Sequence, residues 1–440
     1  QSSQYGIIDE FTGQYNFAFS SWTANNGYPS SVAFYQNRLC WASTFAEPVG
    51  VWLSTIGDYY DYAVEIDQED DQAISINLLS QSLNRISTLL SKTDLIGFTA
   101  DGAWRISSMN SAQGLTAKTI MANQQTFEGP SNLRPLVINT RALYVLSQGA
   151  TVRDIAYDYS ADSYTGDDLT LLSRHLFRGH TITSWCYAQE PDSLVYIVRD
   201  DGVMLTLTYN KEQEVYAWAK HITDGEFIAV QSIPGTYRTQ VYFIVRRMGK
   251  LYIETLSDRL VDDTTRMNFM DCSALYEGEE TTTISGLDYL EGKEVQILAD
   301  GSEQKSQIVK AGSITLQSPA NVVRVGLAYM KRIVTMNLDY PRQDGTSQGR
   351  RKSTSVVKTL FDNSYGGRVQ VFSNNAELSN PAKVKNKLPK KYGQPIELVS
   401  GINTSCVNAR TDVNIYVGIE QDSPVPINIL SIMVDIAWGG

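Results

Sequence analysis

Five segments of this 440-residue chain repeat one shape, and that repetition constrains the fold more than any other feature. In each, an apolar strand, a short polar turn, a second apolar strand, a tighter turn or loop with glycine and a third strand follow in order. The segments start at Ser31, Arg85, Pro135, Ser184 and Ile228. Their first turns are Gln36-Asn37, Lys92 to Asp94, Asn139 to Arg141, Glu190 to Ser193 and Pro234 to Thr239. Their second turns are Pro48 to Gly50, Asp101-Gly102, Gln148-Gly149, Asp201-Gly202 and Met248-Gly249, where glycine supplies the positive φ that hairpins need. From Leu39 the middle strands recur at Leu95, Leu143, Leu194 and Val241, in steps of 56, 48, 51 and 47 residues. A four-stranded propeller blade takes roughly 40 to 50 residues, and stacked blades leave few exposed sheet edges. A long meander or two stacked sandwiches would also place turns this often; the blade-length step favours the propeller.

The spacing predicts fourth strands at Ala73 to Leu78, Leu115 to Met121 and Val215 to Ile222. Asp167 to Phe177 is the best helix candidate, because its acidic start suits a helix N-terminus. After about Asp271 the rhythm changes to shorter strands punctuated by Asp300-Gly301 and Ala311-Gly312, which reads as a separate small domain. The polar stretch Arg342 to Lys352 reads as an exposed loop, and the apolar end from Pro426 to Trp438, broken by Asn428, Ser431 and Asp435, as a strand pair. The expected architecture is therefore all-β: a β-propeller of five or six blades followed by a smaller β-barrel or sandwich. Residues 1–30 form a connecting segment, 31–271 the propeller, 272–345 the small β-domain and 346–440 a β-rich C-terminal segment.

Composition agrees with this reading. Apolar residues at 42% can bury a sizeable core, and 25 tyrosines among frequent Val, Ile and Thr favour strands. No apolar run approaches the eighteen residues of a membrane span. The chain starts at Gln1 without Met and without a basic-then-apolar leader, so a removed segment or an excerpt of a longer product is expected. A net charge of −11 argues against a protein that grips phosphates, since that affinity comes from Lys and Arg. It does not argue against contact with DNA, because a conduit that lets DNA slide should avoid holding it, and an acidic or neutral lining would keep each phosphate encounter weak. Cys40, Cys186, Cys272 and Cys406 lie far apart and read as buried free thiols, with neither a disulfide framework nor a zinc spacing.

Chemistry-bearing motifs are sparse. The histidines, His175, His180 and His221, sit in no ligand spacing; His175 and His180 near Asp167 and Asp168 could bind a metal but read first as ordinary packing and hydrogen bonding. Asp67, Glu69, Asp70 and Asp71 form an acidic run that reads as a solvated loop, with calcium as the weaker reading. Thr99 to Trp104, TADGAW, departs from a sialidase-type Asp box because Asp101 and Gly102 are adjacent. Trp22, Trp41, Trp52, Tyr59, Tyr60 and Tyr62 could form a sugar-binding surface but read first as core. Lys383, Lys385, Lys387, Lys390 and Lys391 could meet nucleic acid or an acidic partner but read first as a solvated loop. No nucleophile elbow and no phosphate loop appears. No catalytic, cofactor-binding or metal residue is assigned, no cofactor is expected, and the chain reads as non-enzymatic.

Several stretches carry a resemblance. GYPSSVAFYQNRLCWAST (27–44), VWLSTIGDYYDY (51–62), LIGFTADGAWRI (95–106), the long run from Arg153 to His221 and GLDYLEGKEVQILADG (286–301) resemble the nozzle proteins of short-tailed bacteriophages. These are also called tail tubular protein B or packaged-DNA stabilisation proteins. The resemblance spans most of Gly27 to Tyr329 and implies a structural subunit of the virion tail. It implies a homohexameric ring around the DNA ejection channel, with a tail adaptor or portal-proximal protein above and tail fibre or needle proteins outside or below. DNA passes transiently through such a ring when the genome is delivered. A further β-rich part usually precedes the propeller in that family, which carries no catalytic residues to transfer. The alternative is a propeller-type receptor-binding or glycan-processing tail protein, and a bacterial surface or periplasmic module is a third reading.

Overall fold

The structure, a computed structural model, describes residues 22–64, 69–79, 84–109, 114–259, 262–339, 345–373, 376–386 and 393–438, with short strands at 6–8, 15–17 and 341–342. It divides into two compact units: Gln1–His221 with Glu226–Ile253, and Ile222–Gly225 with Glu254–Gly440. Among the described residues no helix is long and apolar enough to cross a membrane.

In the first unit, β1 (Gly6–Ile8) and β2 (Tyr15–Phe17) pair as a short antiparallel ladder. Five antiparallel sheets then follow in chain order. The first holds β3 (Ser31–Tyr35), β4 (Arg38–Ala42), β5 (Gly50–Leu53) and β6 (Ile74–Asn77). The second holds β7 (Ile86–Ser91), β8 (Leu95–Thr99), β9 (Gly102–Ser108) and β10 (Ile120–Gln124). The third holds β11 (Leu136–Ile138), β12 (Arg141–Val145), β13 (Val152–Asp158) and β14 (Ser163–Thr165). The fourth holds β15 (Ile182–Ala188), β16 (Leu194–Arg199), β17 (Met204–Asn210) and β18 (Val215–His221). The fifth has three strands, β19 (Glu226–Pro234), β20 (Thr239–Arg247) and β21 (Lys250–Thr255).

The middle strands explain why the sheets stack. Strand side chains alternate between faces, so a strand buried at every position needs a neighbour on both sides. β8 and β16 are buried throughout. Cys40 and Ala42 of the first sheet pack with Leu89, Leu95 and Ile106 of the second. On its other face the second sheet sets Ile96 and Phe98 against Ala142, Tyr144 and Ile155 of the third. Leu143 and Val145 then meet Val195, Ile197 and Leu205 of the fourth, whose Tyr196 and Val198 meet Val241, Phe243 and Val245 of the fifth. Each such aliphatic side chain contributes about 1.5–3 kcal/mol when fully buried. The result is a β-propeller arrangement, in which five blades lie among the described residues.

Gly102 shows why the second turns need glycine: its φ is +150°, and a Cβ there would lie 1.8 Å from the Thr126 carbonyl oxygen. Two local expectations give way. Asp167 to Phe177 forms only a 3₁₀ turn, Leu171–Leu176, interrupted at Ser173. Asp168 accepts hydrogen bonds from the Thr170 amide and hydroxyl, at 2.8 and 2.5 Å, and this local turn competes with the helix. The fourth strand of the second blade begins at Ile120, not Leu115, because the Leu115 amide donates to Gln36 Oε1 and Thr116 and Thr119 hold a turn. The fourth strand of the third blade, three residues long, was not anticipated.

The second unit begins with a sheet ordered β22 (Asp271–Ser285), β25 (Ser313–Leu327), β23 (Glu294–Ala299) and β24 (Ser302–Ile308), wrapped on Leu287, Val295, Ile297 and Val325. A two-sheet β-sandwich follows. One sheet comprises β26 (Lys331–Val334), β34 (Tyr416–Gln421) and β30 (Arg368–Ser373), with β31 (Ala376–Glu377) and β32 (Ala382–Lys383) on β30. The other is β33 (Val399–Cys406), β29 (Lys352–Ser364) and β35 (Asn428–Trp438). Val357 and Phe361 from one meet Val369, Val371 and Val417 from the other. A two-strand ladder joins β27 (Pro341–Arg342) to β28 (Gly345–Thr346).

Here too two expectations are corrected. Pro426 to Trp438 holds one long strand, β35, not a strand pair; Ser431 stays in register opposite Leu360 and simply faces outward. Lys352, read as the end of an exposed loop, is fully buried in β29, with its Nζ 2.5 Å from Asp339 Oδ1. A buried ammonium is tolerated because that carboxylate compensates it.

Candidate functional site

Charged residues recur at one place in successive blades, the start of the second strand. In the first blade Arg38 is fully buried and its guanidinium donates to the carbonyls of Ser54, Gln72, Asp70 and, in the second blade, Leu115, at 2.6 to 3.5 Å. In the second blade Asp94 binds Arg105 at 2.8 Å and accepts from the Tyr164 hydroxyl of the third blade at 3.0 Å. In the third blade Arg141 binds Asp154 at 2.6 Å, and Asp154 accepts from the Tyr209 hydroxyl of the fourth blade at 2.8 Å. Burial and the charge of Asp94 raise the Tyr164 phenol pKa, and burial and Asp154 raise that of Tyr209.

Beside these anchors, between the second and third blades, lies an open cavity of about 460 Å³. Its lining includes Phe127, Glu128, Tyr144, Arg153, Asp154 and Thr165. Tyr144, Asp154 and Ile155, which also lines it, are each about 1% exposed. Phe127, just past β10, is 84% exposed. Glu128 pairs with Arg153, whose second guanidinium nitrogen donates to the Gly166 carbonyl at 3.0 Å. Asp154 also takes the Asp167 amide at 2.7 Å. Both carboxylates of the cavity are thus engaged by donors, which is an arrangement for holding shape and for hydrogen bonding. The sequence reading passed over these residues, although adjacent Arg153 and Asp154 inside an otherwise apolar strand were the available signal.

The flagged residues separate. His175 is exposed, and His180 does not meet Asp167 or Asp168; it lies 3.2 Å from Asp200 and 3.6 Å from Asp201. Asp167 pairs with Lys211 and Asp168 with Arg174. The three groups His180, Asp200 and Asp201 converge within 4.8 Å, but Arg199 binds Asp201 and places a cation at the same point. In the acidic run Glu69, Asp70 and Asp71 are exposed, and the backbone carbonyl of Asp70 serves Arg38; Asp67 lies outside the described residues. TADGAW is the closing turn of β8 and β9, with Trp104 buried.

Trp22 packs edge-on against Trp41, Trp52 and Tyr62, and Tyr59 against Phe34, while Tyr60 is exposed. Lys383 is exposed on β32, Lys385 offers its carbonyl to Asn403, and Lys387, Lys390 and Lys391 lie outside the described residues. Cys40 and Cys186 are buried free thiols pushed up to about 12 by burial, Cys272 is half-buried, and Cys406 is exposed, against expectation, because it ends an edge strand.

The two ends of the blade series also stand out. On the first blade Val32 and Phe34 point away from the second and are exposed. On the fifth, Ile233 and Ile244 point away from the fourth, and Leu251 and Ile253 of β21 are 62% and 79% exposed.

No family model matches the chain, and no curated protein matches it. Among solved structures, a Lactobacillus plantarum protein aligns over 73% of this chain and 94% of its own at 7% identity and a TM-score of 0.31. Trypanosoma rangeli sialidase, in complex with sialic acid, aligns over 96% of this chain and 94% of its own at 7% identity and a TM-score of 0.24. The same enzyme with the inhibitor DANA gives 96%, 95%, 8% and 0.25. Likeness this faint carries no argument about chemistry.

Proposed function

We propose that the chain is a non-enzymatic structural subunit of a bacteriophage tail nozzle. In this reading copies form a closed ring, a homohexamer, around the DNA ejection channel, below an adaptor and against fibre or needle proteins. The resemblance of five stretches between Gly27 and Gly301 suggests the family. The observation that carries the assembly is the pair of apolar end faces, Val32 and Phe34 at one end of the blade series and Ile233, Ile244, Leu251 and Ile253 at the other. Two different faces, one on the first blade and one on the fifth, favour a head-to-tail contact, and head-to-tail contacts that close give rings. The net charge of −11 suits a passage that does not hold DNA.

Native mass spectrometry and negative-stain microscopy of the full-length protein, alone and with its adaptor, test the reading. A six-fold ring with an axial hole is expected, and an isologous dimer or a persistent monomer overturns it. The second reading, a receptor-binding or glycan-processing tail protein, draws on the cavity between the second and third blades; polysaccharide turnover by a monomer or trimer would favour it.

A further inference from the structure

The same cavity points to a ligand class. Its volume of about 460 Å³ lies within the roughly 300–1,000 Å³ typical of small-molecule sites. The apolar contact comes from the exposed ring of Phe127; Ile155 and Tyr144, each about 1% exposed, are packed into the wall and offer a ligand almost no surface. The polar groups come as a neutral pair. Arg153 presents a planar fork of donors and Glu128 a pair of acceptors, and each already cancels the other's charge. Asp154 is likewise cancelled by Arg141.

A charged ligand would have to separate one of these pairs and leave a part-buried charge uncompensated. A neutral molecule with hydroxyls that both donate and accept can bridge Arg153 and Glu128 without breaking them. If it also has a C–H face, that face can lie on Phe127. We propose that the cavity between the second and third blades binds one residue of a neutral sugar. The assignment rests on the cavity alone and stands whether or not the chain forms a ring.

Saturation-transfer NMR and calorimetry on the full chain test it. The neutral probes are glucose, galactose, mannose and N-acetylglucosamine, and N-acetylneuraminic acid is the anionic one. At least one neutral sugar is expected to bind. Phe127→Ala and Glu128→Gln should each weaken it about five- to tenfold, the size expected for one aromatic contact or one hydrogen bond. Tyr60→Ala, at an exposed aromatic outside the cavity lining, should leave binding unchanged. Both cavity substitutions fall on exposed side chains, and unchanged melting confirms that the variants fold. Binding by none of the neutral sugars, tighter binding of N-acetylneuraminic acid, or binding untouched by both cavity substitutions would each overturn the assignment.

Discussion

Asp94 and Arg141 stand at the same register position in adjacent blades and carry opposite charges. Asp94 precedes Leu95, which faces Ile106, and Arg141 precedes Ala142, which faces Ile155. Their ion partners also correspond: Arg105 lies across from Ile96 and Asp154 across from Leu143. The pair is retained from blade to blade with its polarity reversed, and in each case a tyrosine of the next blade caps the carboxylate. In the fourth blade the position is Leu194, packed in the apolar cluster shared with the fifth. A largely buried pair and a leucine are both solutions for a site that must not leave a polar group unmatched.

Asp94→Ala should therefore destabilise the propeller by about 2–3 kcal/mol, because it strands the Arg105 guanidinium and the Tyr164 hydroxyl together. Reversing the pair with Asp94→Arg and Arg105→Asp, which copies the third blade, should recover a large part of what Asp94→Arg alone loses. Denaturant unfolding of the full double-mutant cycle reads the coupling, and additive losses would show that the two residues do not act as a unit.

The end faces give a second expectation. Leu251→Lys with Ile253→Lys should leave the melting temperature nearly unchanged, since both side chains are exposed, and should abolish assembly. Sedimentation velocity decides: a ring that survives the double substitution would show that β21 lies outside the contact.

Thiol reactivity should split by burial. Cys406 is exposed and should react with a maleimide within minutes, whereas Cys40 and Cys186, pushed up to about 12 by burial, should react only on unfolding. Peptide mapping after timed labelling checks this, and early modification of Cys40 would contradict the packing of the first two blades.

Stability should rise with pH on the alkaline side. Burial, aided by Arg141, pushes the Lys92 amine down to about 8, and burial does the same to Lys331 against the opposing charges of Asp422 and Glu303. Between about 8 and the ordinary value of 10.5 each amine holds fewer protons folded than unfolded, so each pushes stability up with pH there. Burial raises Tyr35, Tyr62 and Tyr144 to about 12, and above their ordinary value of 10.0 these hold more protons folded, which reverses the slope. The Cys40 and Cys186 thiols, raised from 9.0 to about 12, act in the same direction from about pH 9, so urea midpoints should peak near pH 9. The rise should shrink in Lys92→Met with Lys331→Met; a wild-type midpoint that falls steadily from about pH 8 would refute the assignment.

By itself the sequence determined the element order of the propeller. Period-2 apolar strands and glycine turns at blade-length steps are local signals, and the structure carries strands at all five repeats because backbone hydrogen bonding and face alternation follow from neighbours in the chain. Where local signals conflicted it misled: the acidic start of Asp167 to Phe177 suggested a helix, and the polar breaks in Pro426 to Trp438 suggested a turn. What only the tertiary structure decided is which charges meet. Asp94 and Tyr164, or Glu128 and Arg153, are far apart in the chain, and no local periodicity encodes a partner on another blade. Tertiary packing also decided which residues Lys352 and Arg38 could be buried against, because a cation enters an interior only where acceptors from other strands converge to replace its water.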